Sequence, residues 1–382
     1  MRSMGVDESD TARRGQRVET GNVPKEEQYE LRLGEALERR RGPARGTSLV
    51  RRHPRLAGDG SPGQVRHLAR KAGIWVLPRE ATAGEAFLRT LEHCRSHILA
   101  NLPAVSQGHE VEGVHQLRVA LRRLRVALVA FGADFRTPEL DALRLRAKQL
   151  AAGLGPARDM DVFLDELMAP AQADAGLPEA FALLRARAVA RREAAWQAAV
   201  TTASGLAFHS FVHDLTKAIA HRAWYEAKPD AQDRLLCFDQ PVRLLADRQL
   251  ARYFRKARKR ARKLQSLSEA ERHQLRIALK KLRYTLEFFS SLYDPKMVKP
   301  FVRRLSLMQD VLGSLQDLAV ARRILHDLVE AALEQHAPDQ GELRFAAGTV
   351  YGWHLERANV AWSEARLRWK RLVKTEPFWS PS

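Results

Sequence analysis

The residues most able to do chemistry lie on one face of a predicted helix that contains His115. At about 100° per residue, His115, Arg118, Arg122 and Arg125 fall within one arc of this helix, and leucines occupy the opposite side. Guanidinium and imidazole groups donate hydrogen bonds to phosphate oxygens. Like charges at this spacing repel one another, and the face carries no acidic residue to offset them. The pattern favours binding of an external anion, although an ordinary amphipathic helix with a solvated basic side has the same spacing.

The same segment occurs a second time, beginning at His273. Nine of its fourteen positions are identical to those of the first copy. Its cationic face again lies opposite a row of leucines, and Tyr284 lies beside that face. A repeat of this length indicates internal duplication, which predicts two equivalent helices lining one groove. The cationic residues of the second copy are His273, Arg276, Lys280 and Arg283.

Aspartates follow each copy at matching positions. Leu154-Gly155 aligns without insertion with Leu312-Gly313, and Asp159 aligns with Asp317. Glycine and proline end helices, so we expect Asp159, the nearby Asp161, and Asp317 to lie in the first turns of new helices. Carboxylates in first turns interact favourably with the helix dipole. This position predicts a capping role for them.

A strongly basic stretch precedes the second copy. Residues 248–263 contain nine Lys or Arg, no acidic residue, and no Pro or Gly to stop a helix. We expect this helix to pack against the helix of the second copy and to extend the cationic groove, although a solvated basic helix remains an alternative. The residues assigned to that extension are Arg252, Arg255 and Lys259.

The composition restricts the class of protein. Lys and Arg number 64 against 45 Asp and Glu, which gives a net charge of +19 and favours an anionic partner. The only cysteines, Cys94 and Cys237, have no metal-ligand spacing, so neither a disulfide framework nor a zinc site is predicted. No apolar run is long enough to cross a membrane. We therefore expect a cytoplasmic protein with no cofactor and no metal.

The order of segments predicts an all-α protein. Residues 1–80 mix Arg, Glu, Gly and Pro without an apolar period, which is typical of a basic, mostly disordered arm. Helical spacing dominates from Ala81 onward, with breaks near Pro103, Gly155-Pro156 and Gly313 among others. We predict two antiparallel helical bundles related by the duplication, over 81–227 and 241–382, joined by 228–240.

The chain resembles the CHAD family, the conserved-histidine α-helical domain, over about residues 81–380. The resemblance lies in the paired H-x-x-R-x-x-x-[RK]-[RK]-x-R pattern, the two Leu-Gly turns, the Arg283-Tyr284 pair with Glu287, and the terminal Pro377-Phe378-Trp379. It implies two bundles with pseudo-twofold symmetry around a basic channel. It also implies binding of inorganic polyphosphate, without turnover, and association with polyphosphate granules.

The resemblance assigns the binding role to the two cationic faces and adds flanking contacts from Arg123, Lys281 and Arg158. Gln316 stands where the second copy would have the equivalent of Arg158, which puts that contact in doubt. No E-x-E-x-K strand precedes Ala81, so the chain looks like a stand-alone member of the family.

Other functions remain as alternatives. The sequence lacks a phosphate-binding G-x-x-x-x-G-K-[ST] loop, an H-E-x-x-H motif and a G-x-S-x-G motif, so an enzyme is not predicted. The main alternative partner is the backbone of a nucleic acid, although Tyr284 is the only aromatic residue on the two cationic faces that could stack on bases. Lesser alternatives are a metal-binding helical domain, which the surrounding arginines disfavour, and a structural scaffold.

Overall fold

The computed structural model describes residues 67–73, 75–107, 110–176, 181–225, 237–336 and 340–379. Within these ranges the chain is helical and contains no strand; one isolated bridge joins Thr82 and Pro241. The prediction of an all-α fold is confirmed. The helices of the first half are α1 (Ala83–Ser106), α2 (Val111–Ala130), α3 (Pro138–Gly153), α4 (Gly155–Val162), α5 (Ala169–Ala175), α6 (Ala182–Ser204) and α7 (Leu206–Ala220). Those of the second half are α8 (Val242–Arg260), α9 (Glu269–Phe289), α10 (Pro295–Glu334), α11 (Gln340–Ser363) and α12 (Ala365–Lys374).

Local capping explains where the two histidine-containing helices begin. Helix α9 starts at a capping box, in which the Ser268 side chain accepts from the Glu271 backbone and the Glu271 side chain accepts from the Ser268 backbone. The N-cap of α2 is Glu110. His115 and His273 each lie about one turn inside their helix, so neither is a helix cap.

The main core fixes the orientation of α2 and α9. Both rows of leucines are fully or almost fully buried in it, which confirms the predicted helical phase. The cationic faces are therefore turned away from this core. The buried leucines are Leu117, Leu121, Leu124 and Leu128 in α2 and Leu275, Leu279, Leu282 and Leu286 in α9.

A second core packs a different set of helices. It joins the segment from Met160 to Ala188 with the last third of α10 and with α11, through side chains such as Phe163, Phe181 and Leu325. A π-helical turn, Phe163–Met168, links α4 to α5 within this core. Each core thus draws residues from both halves of the chain. Most of the predicted join, 228–236, lies outside the described residues, and the division into bundles 81–227 and 241–382 stays a prediction.

The predicted break near Pro103 is confirmed, since α1 ends three residues later, at Ser106. The predicted break near Gly313 is wrong, because Gly313 lies in the middle of the 40-residue α10. A glycine in a helix interior costs only about 1 kcal/mol relative to alanine. Helix α10 is held in the main core by Met308 and Leu312 and in the second core by Ala321 and Ile324, and this burial outweighs that cost.

The predicted arm is described only from residue 67, and its described part is bound to the helices. The Arg70 backbone N–H donates to Asn101 Oδ1 at 2.8 Å, and the Trp75 indole donates to the Phe288 carbonyl at 3.2 Å. Leu77 is 1% exposed, and its backbone N–H donates to Ser291 Oγ at 2.9 Å. The predicted boundary at residue 80 therefore lies too late in the chain. No helix in the described ranges combines the length and apolarity that crossing a membrane requires.

Candidate functional site

The cationic faces of α2 and α9 meet at one cavity of about 620 Å³. The two helices pack against each other, and α4 and α10 complete the walls. Seven of the residues predicted from the sequence line this cavity, and among the described residues no Phe, Tyr or Trp does. The seven are His115, Arg118, Arg122, Arg158, His273, Arg276 and Lys280.

The most perturbed of these groups is Lys280. Burial, together with the neighbouring guanidinium groups of Arg276 and Arg122, lowers its pKa to about 7, and Asp317 opposes that shift only in part. Burial also lowers the pKa of Arg276, and Arg122 adds to the effect. Without an external anion, the cavity disfavours the positive charges that line it.

Helix α2 shows the same pattern. Burial lowers the pKa of His115, and the nearby positive charge of Arg158 lowers it further. Burial also lowers the pKa of Arg118, and the Asp159 carboxylate opposes that shift. An anion placed in the cavity would therefore stabilise the protonated forms of groups on both walls.

Hydrogen bonds hold several of the cationic side chains in place. Arg118 Nη1 donates to the Ala151 carbonyl at 2.6 Å. Its guanidinium passes so close to Gly155 that a Cβ there would lie 2.9 Å from Nη1, so a side chain at this position would require the end of the Arg118 side chain to move. Gly313, the matching residue of the second copy, has nothing within 4 Å of such a Cβ. The two copies have therefore diverged around the Leu-Gly positions.

The copies also differ at positions 158 and 316. Arg158 donates to Glu166 Oε1 at 3.0 Å, and it lines the cavity beside His115. Gln316 lines the cavity too, and its Oε1 lies 3.2 Å from His273 Nδ1, a separation at which the ring N–H can donate to the amide oxygen. A neutral amide thus orients the second histidine where the first copy has a guanidinium.

Three further charged residues of the cavity wall were not assigned to the site from the sequence: Asp159, Asp317 and Arg323. Arg323 donates to Asp159 Oδ2 at 2.7 Å. Burial raises the pKa of Asp317 to about 6, while Arg276 opposes that rise. The predicted capping role is wrong for both aspartates, because Asp317 lies deep within α10 and α4 has no acidic residue in its first turn.

Asp161 is not a cap either, and it does not line the cavity. Its side chain is 1% exposed and accepts from Arg192 Nε at 2.6 Å and from the Trp196 indole at 3.1 Å. These bonds tie α4 to α6. Asp161 is therefore a buried structural residue.

A second group of cations lies beyond Arg122. Burial lowers the pKa of Arg125, and the positive charges of Arg122 and Arg144 lower it further. Burial and the charges of Lys256 and Arg125 do the same to the pKa of Lys281. These residues do not line the cavity, but Arg122 is electrostatically coupled to both groups. Tyr284 lies beside Arg122, with its hydroxyl 3.4 Å from Arg122 Nη1.

The other predicted binding residues lie elsewhere. Arg123 stacks on Phe288, with Cζ 5.9 Å from the ring centroid. Arg283 pairs with Glu287 at 3.2 Å and donates to Gln309 at 3.2 Å. Arg252 donates to Gln249 at 3.5 Å. Helix α8 packs against α9 as predicted, but Arg255 and Lys259 line a different cavity, so α8 does not extend the walls of the first.

In the part of the chain that the structure describes, no cluster of possible metal ligands supports the metal-binding alternative. No group of three or more His, Cys, Asp or Glu side chains there is arranged to hold a metal ion. Of the two cysteines, Cys94 is buried and Cys237 partly buried, and both are free thiols.

The fold and the cavity define an all-α protein with a cationic cavity between paired helices. The chain belongs to the CHAD family, whose domain model matches residues 89–326. It is similar to the crystal structure of the CHAD domain from the plant Ricinus communis, with 31% identity and a TM-score of 0.64 over 81% of this chain and 98% of that one. PptA from Streptomyces chartreusis shares the fold at 17% identity, with a TM-score of 0.55 over 76% of this chain and 100% of the other. No curated protein sequence matches the chain.

Proposed function

We propose that this protein binds inorganic polyphosphate, a long polyanion, in the cavity between α2 and α9, and that it does not turn the polymer over. The observation that carries the proposal is the convergence of seven predicted cationic or imidazole residues on one cavity. The lowered pKa of the buried Lys280 supports it, because a polyanion would supply the negative charge that this cavity lacks. Membership in the CHAD family, which is linked to polyphosphate, supports the same ligand.

The lining favours polyphosphate over a nucleic acid. Proteins that bind single strands combine a cationic groove with aromatic side chains on which bases stack. Among the described residues no Phe, Tyr or Trp lines this cavity, and Tyr284 lies only at its edge. A polymer that carries a charge on every unit and has no bases matches such a wall better. Recruitment to polyphosphate granules would follow from the same binding.

The lining also favours binding without catalysis. A hydrolase needs a nucleophile or an activated water, with a base to accept its proton. No Ser, Thr, Tyr or Cys is among the described residues that line the cavity, so no hydroxyl or thiol nucleophile stands there beside His273 or Asp159. We expect no release of phosphate from polyphosphate or nucleoside triphosphates, with or without Mg²⁺. Turnover that His273→Ala abolishes would contradict this part of the proposal.

Binding can be tested by charge reversal combined with a salt titration. Each phosphate neutralised contributes roughly 0.7 to the slope of log K against log salt for a flexible single strand, so several contacts give a slope of several units. The variants Arg118→Glu/Arg122→Glu and Arg276→Glu/Lys280→Glu should each weaken polyphosphate binding sharply and flatten this slope. The milder Arg122→Gln and Arg276→Gln should act in the same direction with less risk to folding.

A matched control lies on α10 outside the cavity. Lys299 and Arg303 are exposed and form no ion pair with a described residue. At about 1.5 Å per residue, Arg303 lies roughly 20 Å and Lys299 roughly 25 Å along the helix from Gln316. Lys299→Glu/Arg303→Glu changes the net charge by the same amount, so it isolates the cavity from the overall field. If this control loses binding while the folded cavity variants keep wild-type affinity and slope, the proposal is wrong. A tighter fit to duplex DNA or transfer RNA than to polyphosphate would favour the nucleic-acid alternative.

A further inference from the structure

A second cavity, of about 740 Å³, lies between α8 and the segment that follows α12. It shares no residue with the cavity between α2 and α9. One wall is a face of α8 and the turn after it, and the other is formed by the C-terminal residues up to Trp379. Its lining consists of Ala251, Phe254, Arg255, Arg258, Lys259, Arg262, Glu376, Pro377 and Trp379. We call it the α8 cleft.

The α8 wall is cationic and lacks internal counterions. Arg255, Arg258, Lys259 and Arg262 are all exposed, and none forms an ion pair with a described residue. A helix dipole favours cations in its last turn, which accounts for Arg258 and Lys259. It does not account for Arg255, which lies before that turn, or Arg262, which lies beyond the helix. Positive charges spaced four residues apart also repel one another.

The floor of the α8 cleft is apolar and rigid. Trp379 is 3% exposed and Phe254 5% exposed, and their ring centroids lie 5.7 Å apart. Phe301 packs on Trp379 from behind, with centroids 5.0 Å apart. Ala251 contributes only a methyl group at the base of the cleft, so space is left above the floor. Such a floor suits the flat, apolar part of a ligand.

The opposite rim carries a single acid, Glu376. It is exposed and pairs with no described residue, so the cleft is not closed by an ion pair across its mouth. A carboxylate there repels phosphate and can accept a hydrogen bond from an amino group. The charges therefore orient a ligand, with its anionic part on α8 and its uncharged part toward Glu376 and Trp379.

We propose that the α8 cleft binds a phosphorylated small molecule that carries a planar ring, of the nucleotide class. Its volume lies within the range of about 300–1,000 Å³ typical of small-molecule sites. Four cations match the three or four negative charges of a nucleoside di- or triphosphate, and the apolar floor accommodates the ring. A bare polyphosphate would use the cations but leave the floor uncovered. The inference stands independently of the function proposed for the cavity between α2 and α9.

Calorimetric titration of the full chain tests the ligand class with three probes. ATP has both parts, adenosine has only the ring, and tripolyphosphate has only the charge. All three probes are titrated into Arg118→Glu/Arg122→Glu, so that the first cavity contributes to none of the titrations. We expect ATP to bind with one site and at least about tenfold more tightly than either partial probe, the equivalent of about 1.4 kcal/mol.

Two kinds of variant locate the binding. Arg255→Gln/Lys259→Gln removes charge from exposed positions, and Ala251→Phe fills the floor without altering charge; each should weaken ATP binding about tenfold or more. The Lys299→Glu/Arg303→Glu control should retain it, and circular dichroism should show all variants folded. The proposal is overturned if ATP affinity survives both cleft variants, or if only Arg118→Glu/Arg122→Glu abolishes it. It is also overturned if tripolyphosphate binds as tightly as ATP and Ala251→Phe has no effect.

Discussion

Lys280 should make polyphosphate binding depend on pH. With a pKa of about 7, this lysine is about nine-tenths neutral at pH 8 in the unliganded protein. A bound polyanion favours the charged form, so its pKa should return toward the ordinary lysine value of 10.5. The complex then holds more protons than the free protein, and affinity falls as the pH rises above 7. Binding at pH 8 should take up about 0.9 proton at this residue.

The size of the effect follows from the two pKa values. Between pH 8 and pH 9.5, the affinity should fall by roughly 25-fold if the pKa in the complex is near 10.5. This window lies above the titration of Asp317, whose pKa is about 6, and of His115, whose pKa is lowered from its ordinary value. The other charged groups facing Lys280 are the guanidinium groups of Arg276, Arg122 and Arg118. Arginine stays protonated across this range, so Lys280 dominates the change.

Calorimetry in buffers of different ionisation enthalpy measures the proton uptake directly. A long polyphosphate is needed, since its few chain ends contribute little titration of their own. Lys280→Arg is the matched control, because it keeps the positive charge but does not titrate in this window. Its affinity should change little between pH 8 and 9.5. Equal proton uptake by the wild type and Lys280→Arg, or a flat wild-type affinity, would show that Lys280 is not a buried cation facing the ligand.

Two further predictions concern the fold and the geometry around Arg118. A chain that begins at residue 81 should be about 3 kcal/mol less stable than one that begins at residue 67, because burial of Leu77 and the backbone hydrogen bonds of Arg70 and Leu77 are removed. Equal stability of the two truncations would contradict the contacts of that segment. Gly155→Ala should displace the Arg118 guanidinium and weaken polyphosphate binding severalfold, whereas Gly313→Ala should leave binding unchanged and stabilise α10 by up to about 1 kcal/mol. Indistinguishable binding by the two glycine variants would refute the proposed role of Gly155.

The sequence predicted those features that depend on helical periodicity. The leucines of α2 and α9 recur with the period of an α-helix, and burying them fixes which way the opposite face points. The repeated cationic faces therefore point away from the main core, and the two helices that carry them pack together. The cavity itself needs two more walls, α4 and α10. No periodic signal connects those helices to α2, so Arg323 could not be assigned to the site.

The sequence-based prediction was wrong where it relied on a single helix-breaking residue, on the lack of an apolar period, or on a helix that is charged on most sides. Gly313 has the residue type of a helix break, but burial on both sides of it keeps α10 continuous. Residues 67–80 lack an apolar period because an extended segment binds through backbone hydrogen bonds and single side chains such as Leu77. Helix α8 is charged around most of its circumference, so no face is favoured. Packing against α9 and the C-terminal segment then directs Arg255 and Lys259 into a separate cleft.

The two aspartates of the cavity explain how so cationic a site can exist before a ligand arrives. The Asp159 carboxylate offsets part of the cost of burying Arg118, and Asp317 does the same for Arg276 and Lys280. These carboxylates offset the cost of burial only in part, since Lys280 still has a pKa of about 7. They also compete with the polyanion for the same guanidinium groups. Removing one aspartate should therefore strengthen the attraction for the ligand while it increases the repulsion within the empty cavity. The carboxylates thus lower the cost of burying the cations and leave the cavity electropositive enough to bind a polyanion.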